Sequence, residues 1–248
     1  MFDPEHWSPA TVVGRTQWDE GLFTIQLDRP MDFEAGQFVK LCQLKDGVHC
    51  HRAYSIASAP GAPLEFYIVR VEGGELTPLL DALRPGGVVG VMHKVAGGFV
   101  LSKIPVDEAD TAWLISTGTG LAPYISMLRD GSIWERFRRV VVVHGVRDRN
   151  QLGYREELEA MAAANPALTY LPACTRDDAP GCLNGRIPAL FDAGVLEAAA
   201  SASIDPTSHV MMCGNPEMIV AMRERLTARG MLLHTPKRHG RVHLERYW

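Results

Sequence analysis

No pair of cysteines in this chain has C-x-x-C spacing, and only five cysteines occur in 248 residues, at 42, 50, 174, 182 and 213. The odd count and the spacing leave a disulfide framework, a zinc ribbon and a Cys-ligated iron–sulfur cluster without support. They point instead to free thiols in a reducing cytoplasm. Long uncharged runs are missing as well. The longest, residues 111–128, is broken by Gly118, Gly120 and Pro123 and carries several hydroxyls, so it does not read as a membrane span. Asp3 and Glu5 stand where a signal peptide needs a basic and then an apolar run, and nothing points to export. An excess of basic charge is also lacking: 25 Lys and Arg face 29 Asp and Glu, for a net charge of −4, which argues against a global nucleic-acid-binding surface. There is no Gly-x-Ser-x-Gly elbow, no Walker loop and no paired-carboxylate motif. A metal site is not expected. His49 and His51 share a strand face without a third ligand, and Gly240 interrupts the helical spacing of His239 and His243.

What is present reads as an ordinary globular protein, 46% apolar and 22% charged, long enough for one large domain or two modest ones. The two halves follow different patterns. Up to residue 103, short strand-like runs alternate with turn residues: 22–27, 37–41, 64–71 and 88–92. In the third of these, Leu64, Phe66 and Ile68 share a face, the pattern of a half-buried strand. Such strands imply an antiparallel β-barrel of Greek-key type, interrupted by one helix with Thr77 as N-cap, Pro78 at its first position and Arg84-Pro85-Gly86 as its stop. Residues 104–110 are polar and contain a proline, as a linker would. From 111 to 248 the pattern becomes α/β. Continuous apolar runs at 112–116, 140–143, 168–173 and 209–213 alternate with helical segments at 122–128, 155–164, 187–191 and 216–228. That alternation predicts a doubly wound parallel sheet. The Ala-rich segment 197–203 fits a weak helix or a loop equally well.

Several segments carry chemistry. Residues 117–123, Thr-Gly-Thr-Gly-Leu-Ala-Pro, follow an apolar strand and open a helix, where glycine lets a ligand approach backbone and N–H groups face phosphate. Pro123 replaces the third glycine of G-x-G-x-x-G, and an ordinary tight turn explains this segment equally well. Arg52, Ala53, Tyr54 and Ser55 lie on a strand, with the Arg52 guanidinium and the Tyr54 ring on one face and a hydroxyl following, a set that suits a ligand with both a phosphate and a planar ring. The Gly73–Thr77 turn offers N–H groups to a second stretch of pyrophosphate. Cys213, Gly214 and Asn215 end a strand at the carboxyl edge of the expected parallel sheet, where open α/β folds bind ligands. Arg147, Arg176 (after Thr175) and Arg186 fall near strand ends on the same expected edge, and three converging guanidinium groups would hold a dianion such as a ribose 2′-phosphate. Taken singly, most of these segments are also explained by a capped helix, a solvated arginine or a buried small residue. Their order is more specific.

Arg52-Ala53-Tyr54-Ser55, the Gly74–Thr77 turn, residues 117–123, Cys213-Gly214-Asn215-Pro216 and a terminal Glu-x-Tyr-Trp run in the order of the ferredoxin–NADP⁺ reductase family. The chain most resembles the bacterial flavodoxin/ferredoxin–NADP⁺ reductases, and the resemblance covers essentially its whole length. It implies an N-terminal β-barrel binding FAD and a C-terminal α/β domain binding NADP(H). By this resemblance Arg52 binds the FAD pyrophosphate beside Gly74, Glu75, Leu76 and Thr77. Tyr54, next to Ala53, stacks on the flavin, Ser55 lies near the ring nitrogen that receives hydride, and Tyr67 and Val69 line the flavin. Thr119 sits near both cofactors and Cys213 near the nicotinamide, with Gly214 and Asn215 beside it. Arg147, Thr175, Arg176 and Arg186 correspond to the 2′-phosphate site. Glu245 corresponds to a carboxylate associated with electron and proton transfer, Tyr247 to the cover on the second flavin face, and Trp248 to a contact with the FAD adenine. Tyr124 replaces the common Phe. If Tyr247 lies flat on the flavin, it has to swing aside before hydride can pass.

The resemblance also implies an acidic partner, ferredoxin or flavodoxin, and a monomer. Residues 209–248 carry seven basic and three acidic side chains, with Lys237, Arg238, Arg241 and Arg246 clustered, a surface that would steer such a partner. No nucleic-acid or membrane partner is expected. Two other readings stay open at this point: an NAD(P)H-dependent reductase component of an oxygenase system, and a non-catalytic redox-regulatory subunit.

Overall fold

The structure is a computed structural model and describes residues 2–104 and 110–246, the Arg246 side chain excepted. The chain divides into two compact units, one made of residues 1–101 and 122–131, the other of 102–121 and 132–248.

The first unit contains β1 (Trp7–Asp19), β2 (Leu22–Leu27), β3 (Phe38–Lys45), β4 (Val48–Ser55), β5 (Glu65–Val69), α1 (Thr77–Ala82), β6 (Val88–Met92) and α2 (Ala122–Asp130). Its antiparallel sheet has the order β4-β3-β6-β1-β2-β5. Just beyond β4, the Ala57 N–H donates to the Glu65 carbonyl of β5 at 2.8 Å, which ties the chain leaving one edge strand to the other. Every second residue points inward: Phe23, Ile25 and Leu27; Val39 and Leu41; Phe66 and Ile68; Val89 and Val91. Leu76 and Leu80 add to this core. Each such side chain contributes about 1.5–3 kcal/mol by burial. The β3–β4 hairpin turns at Asp46-Gly47, both with positive φ, the geometry that matches the twist of paired strands.

Two local expectations change. Thr77 is the first helical residue and not the N-cap, which is Leu76. Because the turn at Gly73 (φ 70°) brings the chain back on itself, the Thr77 hydroxyl accepts the Val71 N–H at 2.9 Å and straps the turn to the first residue of the helix. The strand expected to be half-buried, β5, has both faces covered at Glu65 and Tyr67. Helix α2 lies against this region: Ser126 Oγ donates to Ser58 O at 2.7 Å, and Arg129 Nη1 reaches Glu65 Oε1 at 2.9 Å and Ala57 O at 3.2 Å. Gln26 Nε2 holds the other Glu65 oxygen at 2.7 Å.

The second unit contains β7 (Thr111–Thr117), α3 (Ile133–Arg136), β8 (Arg139–Val146), α4 (Arg155–Ala164), β9 (Leu168–Cys174), β10 (Leu183–Asn184), α5 (Ile187–Asp192), α6 (Val195–Ala200), β11 (Ser208–Gly214), α7 (Pro216–Ala228) and β12 (Val242–Arg246). Its sheet is parallel throughout, in the order β10-β9-β8-β7-β11-β12. The chain steps outward from β7 to β10 and then returns to place β11 on the other side of β7. The topological switch point therefore lies between β7 and β11. The valine run of β8 and most of β7 and β11 are fully buried, as strands covered on both faces must be. The Ala-rich segment resolves as α6, ended by Ser201 in the left-handed region. Strand β12 occupies what reads in sequence as a basic tail. A tight turn at 235–238 precedes it, and the rings of His209, His243, His234 and His239 follow one another at centroid separations of 5.7, 4.8 and 5.9 Å. Among the described residues, no helix is long and apolar enough to cross a membrane.

Glu65 is buried and Arg129 is largely shielded, so removing one partner leaves a poorly solvated charge. Arg129→Met is expected to lower unfolding stability by about 2 kcal/mol, and adding Glu65→Gln to restore part of it. Urea denaturation of the two single variants and the double measures this, and an additive double variant would refute the coupling.

Candidate functional site

The first unit assembles one candidate site from β4 and the 73–77 turn. β4 is an edge strand, so one side of its backbone is free of a ladder partner. Arg52 and Tyr54 share a face of it, as the two-residue period requires. Arg52 Nη2 stands 3.8 Å from Glu75 Oε2, which places the guanidinium beside the turn. Both side chains stay more than half exposed, and a pair that open holds the guanidinium only weakly. The Tyr54 ring packs partly against the barrel core, and burial pushes its phenol above the usual tyrosine range, so it remains a neutral aromatic plate. Ser55 is buried opposite Phe38, while Ala53, opposite Lys40, is exposed. In the turn, Gly73 faces open space, whereas a side chain at Gly74 would meet Thr77 Oγ1 and Val71 O at 3.0 Å. Leu76 places its side chain in the core and offers a ligand only backbone. Tyr67 is buried edge-on to Trp18, and Val69, on the same face, is exposed at the strand end. A weakly held guanidinium, a glycine turn and a flat ring on one face suit a ligand carrying a pyrophosphate and a planar ring system, as FAD does.

The second unit builds its site at the switch point. Here the ends of β7 and β11 meet backbone to backbone. A Cβ at Gly120 would lie 2.5 Å from the Cys213 carbonyl, and one at Gly214 (φ 127°) would strike Thr117 Oγ1 and stand 2.7 Å from Thr117 O. Thr117 Oγ1 accepts the Asn215 N–H at 2.8 Å, and the Asn215 side chain caps α7 by accepting the Glu217 N–H at 2.7 Å. Residues 118–121 form a 3₁₀ turn rather than entering an α-helix directly. Gly118 (φ 53°) faces open space, and Thr119 is buried within the turn.

His144 on β8 is a site residue that sequence reasoning missed. It is fully buried, and its Nε2 contacts the Gly118 carbonyl at 3.1 Å. Burial depresses its pKa to about 4, so it is the neutral imidazole that donates Nε2–H to the glycine turn. A single histidine inside the valine run 140–143 and the following Gly145-Val146 was the available signal.

The three arginines stand beyond three adjacent strand ends, as the topology requires. Arg147 follows β8, Arg176 follows β9, and Arg186 is the N-cap of α5 just after β10, on three adjacent strands. The N–H groups of Thr175 and Arg176 donate to the Arg147 carbonyl at 3.2 and 2.9 Å, and the Gly185 N–H donates to Cys174 O at 2.9 Å, so the three strand ends are joined by backbone. All three side chains and Thr175 are exposed. Among the described residues no carboxylate pairs with Arg147, Arg176 or Arg186. A dianion such as a ribose 2′-phosphate suits three exposed guanidinium groups at one edge. Cys213 is buried at the end of β11, and its register partner on β12 is Glu245, half-buried beside it. Tyr247 and Trp248 lie outside the described residues.

Comparison with known proteins finds a matching family for each half of the chain. The family model of the oxidoreductase FAD-binding domain matches residues 11–94, and that of the oxidoreductase NAD-binding domain matches residues 114–224. A flavodoxin/ferredoxin–NADP reductase from Shigella flexneri is 41% identical over 219 residues, 86% of this chain and 87% of that one. A ferredoxin–NADP reductase from Azotobacter vinelandii is 34% identical, with 89% of each chain covered. Among solved structures, a ferredoxin NADP⁺ reductase from Neisseria gonorrhoeae with bound FAD and NADP superimposes with a TM-score of 0.91 at 27% identity, over 97% of this chain and 98% of that one.

Two measurements test the switch-point geometry. Gly214→Ala adds a side chain where φ is unfavourable and Thr117 leaves no room, and is expected to destabilise the fold by about 2 kcal/mol or more in thermal or urea unfolding. The second concerns pH. His144 is held neutral when folded and is protonated when unfolded below the ordinary histidine pKa near 6.5, so its contribution is complete above that pH and is lost as pH falls toward about 4. His144→Gln keeps a donor for Gly118 and is expected to flatten the urea midpoint against pH across that window. A midpoint slope equal to that of the unmodified protein would refute the assignment.

Proposed function

The chain belongs to the flavodoxin/ferredoxin–NADP reductase family, and from that membership we propose an FAD-dependent oxidoreductase that passes electrons between NADP(H) and ferredoxin or flavodoxin. When bound, FAD exchanges hydride with a nicotinamide and single electrons with a protein carrier. The chain supplies binding, orientation and electrostatics. Arg52 neutralises the pyrophosphate, and the backbone of the Gly74–Thr77 turn accommodates its oxygens. Tyr54 presents a neutral ring for stacking, and Ser55 a hydroxyl one residue further on. Tyr67 and Val69 form the adjoining wall.

In the second unit, Arg147, Arg176 and Arg186, with the Thr175 hydroxyl, hold the 2′-phosphate. The Thr119 turn and the Gly214-Asn215 backbone flank the nicotinamide nucleotide at the switch point. Cys213 and Glu245, neighbours in register, would be the polar pair on the nicotinamide side, with Glu245 able to hold a proton. Tyr247 and Trp248 are proposed as the flavin cover and an adenine contact. The observation that carries the NADP(H) reading is the set of three exposed arginines on adjacent strand ends, where an NAD-specific site needs no such positive charge.

The partner surface is proposed to include Lys237 and Arg238, exposed on the turn before β12. Arg225 and Arg229 are engaged by Asp192 and Glu197 and contribute less. An acidic carrier would be steered to this surface with strong salt dependence. The five free thiols support a reducing, cytoplasmic setting, where the protein acts as a monomer.

Anaerobic titration of the yellow, FAD-loaded protein is expected to show bleaching by NADPH at far lower concentration than by NADH. Arg176→Ala is expected to raise the KM for NADPH about tenfold while leaving that for NADH unchanged. Equal bleaching by the two nucleotides would break the 2′-phosphate assignment, and a colourless protein that takes up no FAD would overturn the enzyme reading.

A further inference from the structure

Two thiols stand at the base of the loop that carries Arg176. Cys174 is the last residue of β9, and Cys182 immediately precedes β10. The parallel pairing sets Asn184 opposite Cys174, so Cys182, two residues earlier, falls on the same face of the ladder as Cys174. The two sulfurs are within hydrogen-bonding contact, and burial together with that contact pushes the Cys174 thiol up to about 12. Cys174 is buried with Val146 and Leu152, whereas Cys182 is half-buried and solvent reaches it. Arg155 Nη1 lies 3.7 Å from the Cys182 sulfur, and its Nε is paired with Glu159 at 2.7 Å, so a cation is fixed beside the more accessible thiol. The other thiol pair, Cys42 and Cys50, is buried in the barrel and has no such opening.

We propose that Cys174 and Cys182 form a peroxide-responsive disulfide that lowers affinity for NADPH by displacing Arg176. Cys182 loses its proton to water, and its sulfur attacks one oxygen of a hydroperoxide beside the Arg155 cation. The O–O bond breaks, the leaving hydroxide (or alkoxide) takes up a proton, and Cys182 becomes a sulfenic acid. The Cys174 sulfur then attacks the Cys182 sulfur. The S–O bond breaks, and water leaves with the Cys174 proton. Two thiols are oxidised by two electrons, and with hydrogen peroxide the product is two waters. Closing the bond draws sulfurs that are in contact to about 2.05 Å and so moves the end of β9 against the start of β10. Thr175 and Arg176 follow directly, and their N–H groups are held by the Arg147 carbonyl, so the shift alters how the three guanidinium groups meet one anion. This consequence rests on the 2′-phosphate reading above.

The test uses the FAD-loaded full chain, treated with hydrogen peroxide and then alkylated. The thiol titre is expected to fall by two from the five of the reduced protein. Trypsin cuts after Arg176 and separates the two cysteines, so their peptides should remain joined until reduced. The KM for NADPH should rise about fivefold while that for NADH stays unchanged, and dithiothreitol should reverse the rise. Cys182→Ser, at a half-buried position, should fold, keep the NADPH kinetics of the reduced protein and lose the response to peroxide. An unchanged thiol titre, a linkage between other cysteines, or a Cys174–Cys182 linkage with unaltered NADPH kinetics would each overturn the proposal. Reduced Arg176→Ala separates the two claims. If it discriminates between NADPH and NADH as the unmodified protein does, the phosphate assignment fails and takes the proposed consequence with it, while the peptide map still reports on the thiol chemistry.

Discussion

The ends of β7 and β11 approach until backbone meets backbone, and much of the parallel unit depends on that contact. Gly120 and Gly214 are the residues that permit it, because any side chain at either would collide with Cys213 or Thr117. The Thr117 hydroxyl then holds the first amide beyond β11, and Asn215 begins α7 by capping it. A crevice at a switch point exists in any sheet of this topology. The paired glycines keep its floor narrow and made of backbone, and backbone can approach a nucleotide without a side chain intervening.

Charge is distributed in the two units according to the same physical logic. Arginines that serve the fold are engaged. Arg15 meets Asp81 and lies over the Phe23 ring, Arg129 meets Glu65, Arg225 meets Asp192, and Arg229 meets Glu197 and covers the ring of Phe191. Arg139 donates to the carbonyls of Ala200 and Ser201. Arg147, Arg176 and Arg186 carry no such carboxylate partner among the described residues, and Arg52 has only a loose, exposed one. Holding cations together at one edge without counterions costs stability, and an anionic ligand offsets that cost. The neutral buried groups do the opposite work. His144 gives the glycine turn a donor without adding charge, because desolvation keeps its imidazole unprotonated.

The thiols follow the same division. Four of the five are buried, and their environments disfavour thiolate where a shift is resolved, at Cys42 and Cys174. Cys182 alone is half-buried, and it adjoins both a cation and a second sulfur at the base of a loop that bears a phosphate-binding candidate. Regulation and cofactor recognition would then share one short piece of chain.

Much of this was decided by sequence alone. The uninterrupted apolar runs of the second half have the pattern typical of strands covered on both faces, and β2, β6, α4 and α7 fall where their periodicity, caps and prolines place them. The candidate pair Arg52 and Tyr54 was legible because a guanidinium and a ring two apart on a strand share a face. What escaped depended on distant partners. β1 breaks its alternation at bulges near Gly14 and Gln17, so its length is set by β2 and β6. β12 looks like a basic, histidine-rich tail until β11 supplies a ladder. The burial of Glu65 needs Arg129, and the role of His144 needs Gly118, contacts spanning separations that no local period encodes. Side-chain chemistry and hydrophobic period are local properties that the sequence carries by itself. Register at an edge strand, the pairing of buried charge and the placement of three arginines beyond adjacent strand ends arise only when remote segments are brought together, and tertiary structure alone decided them.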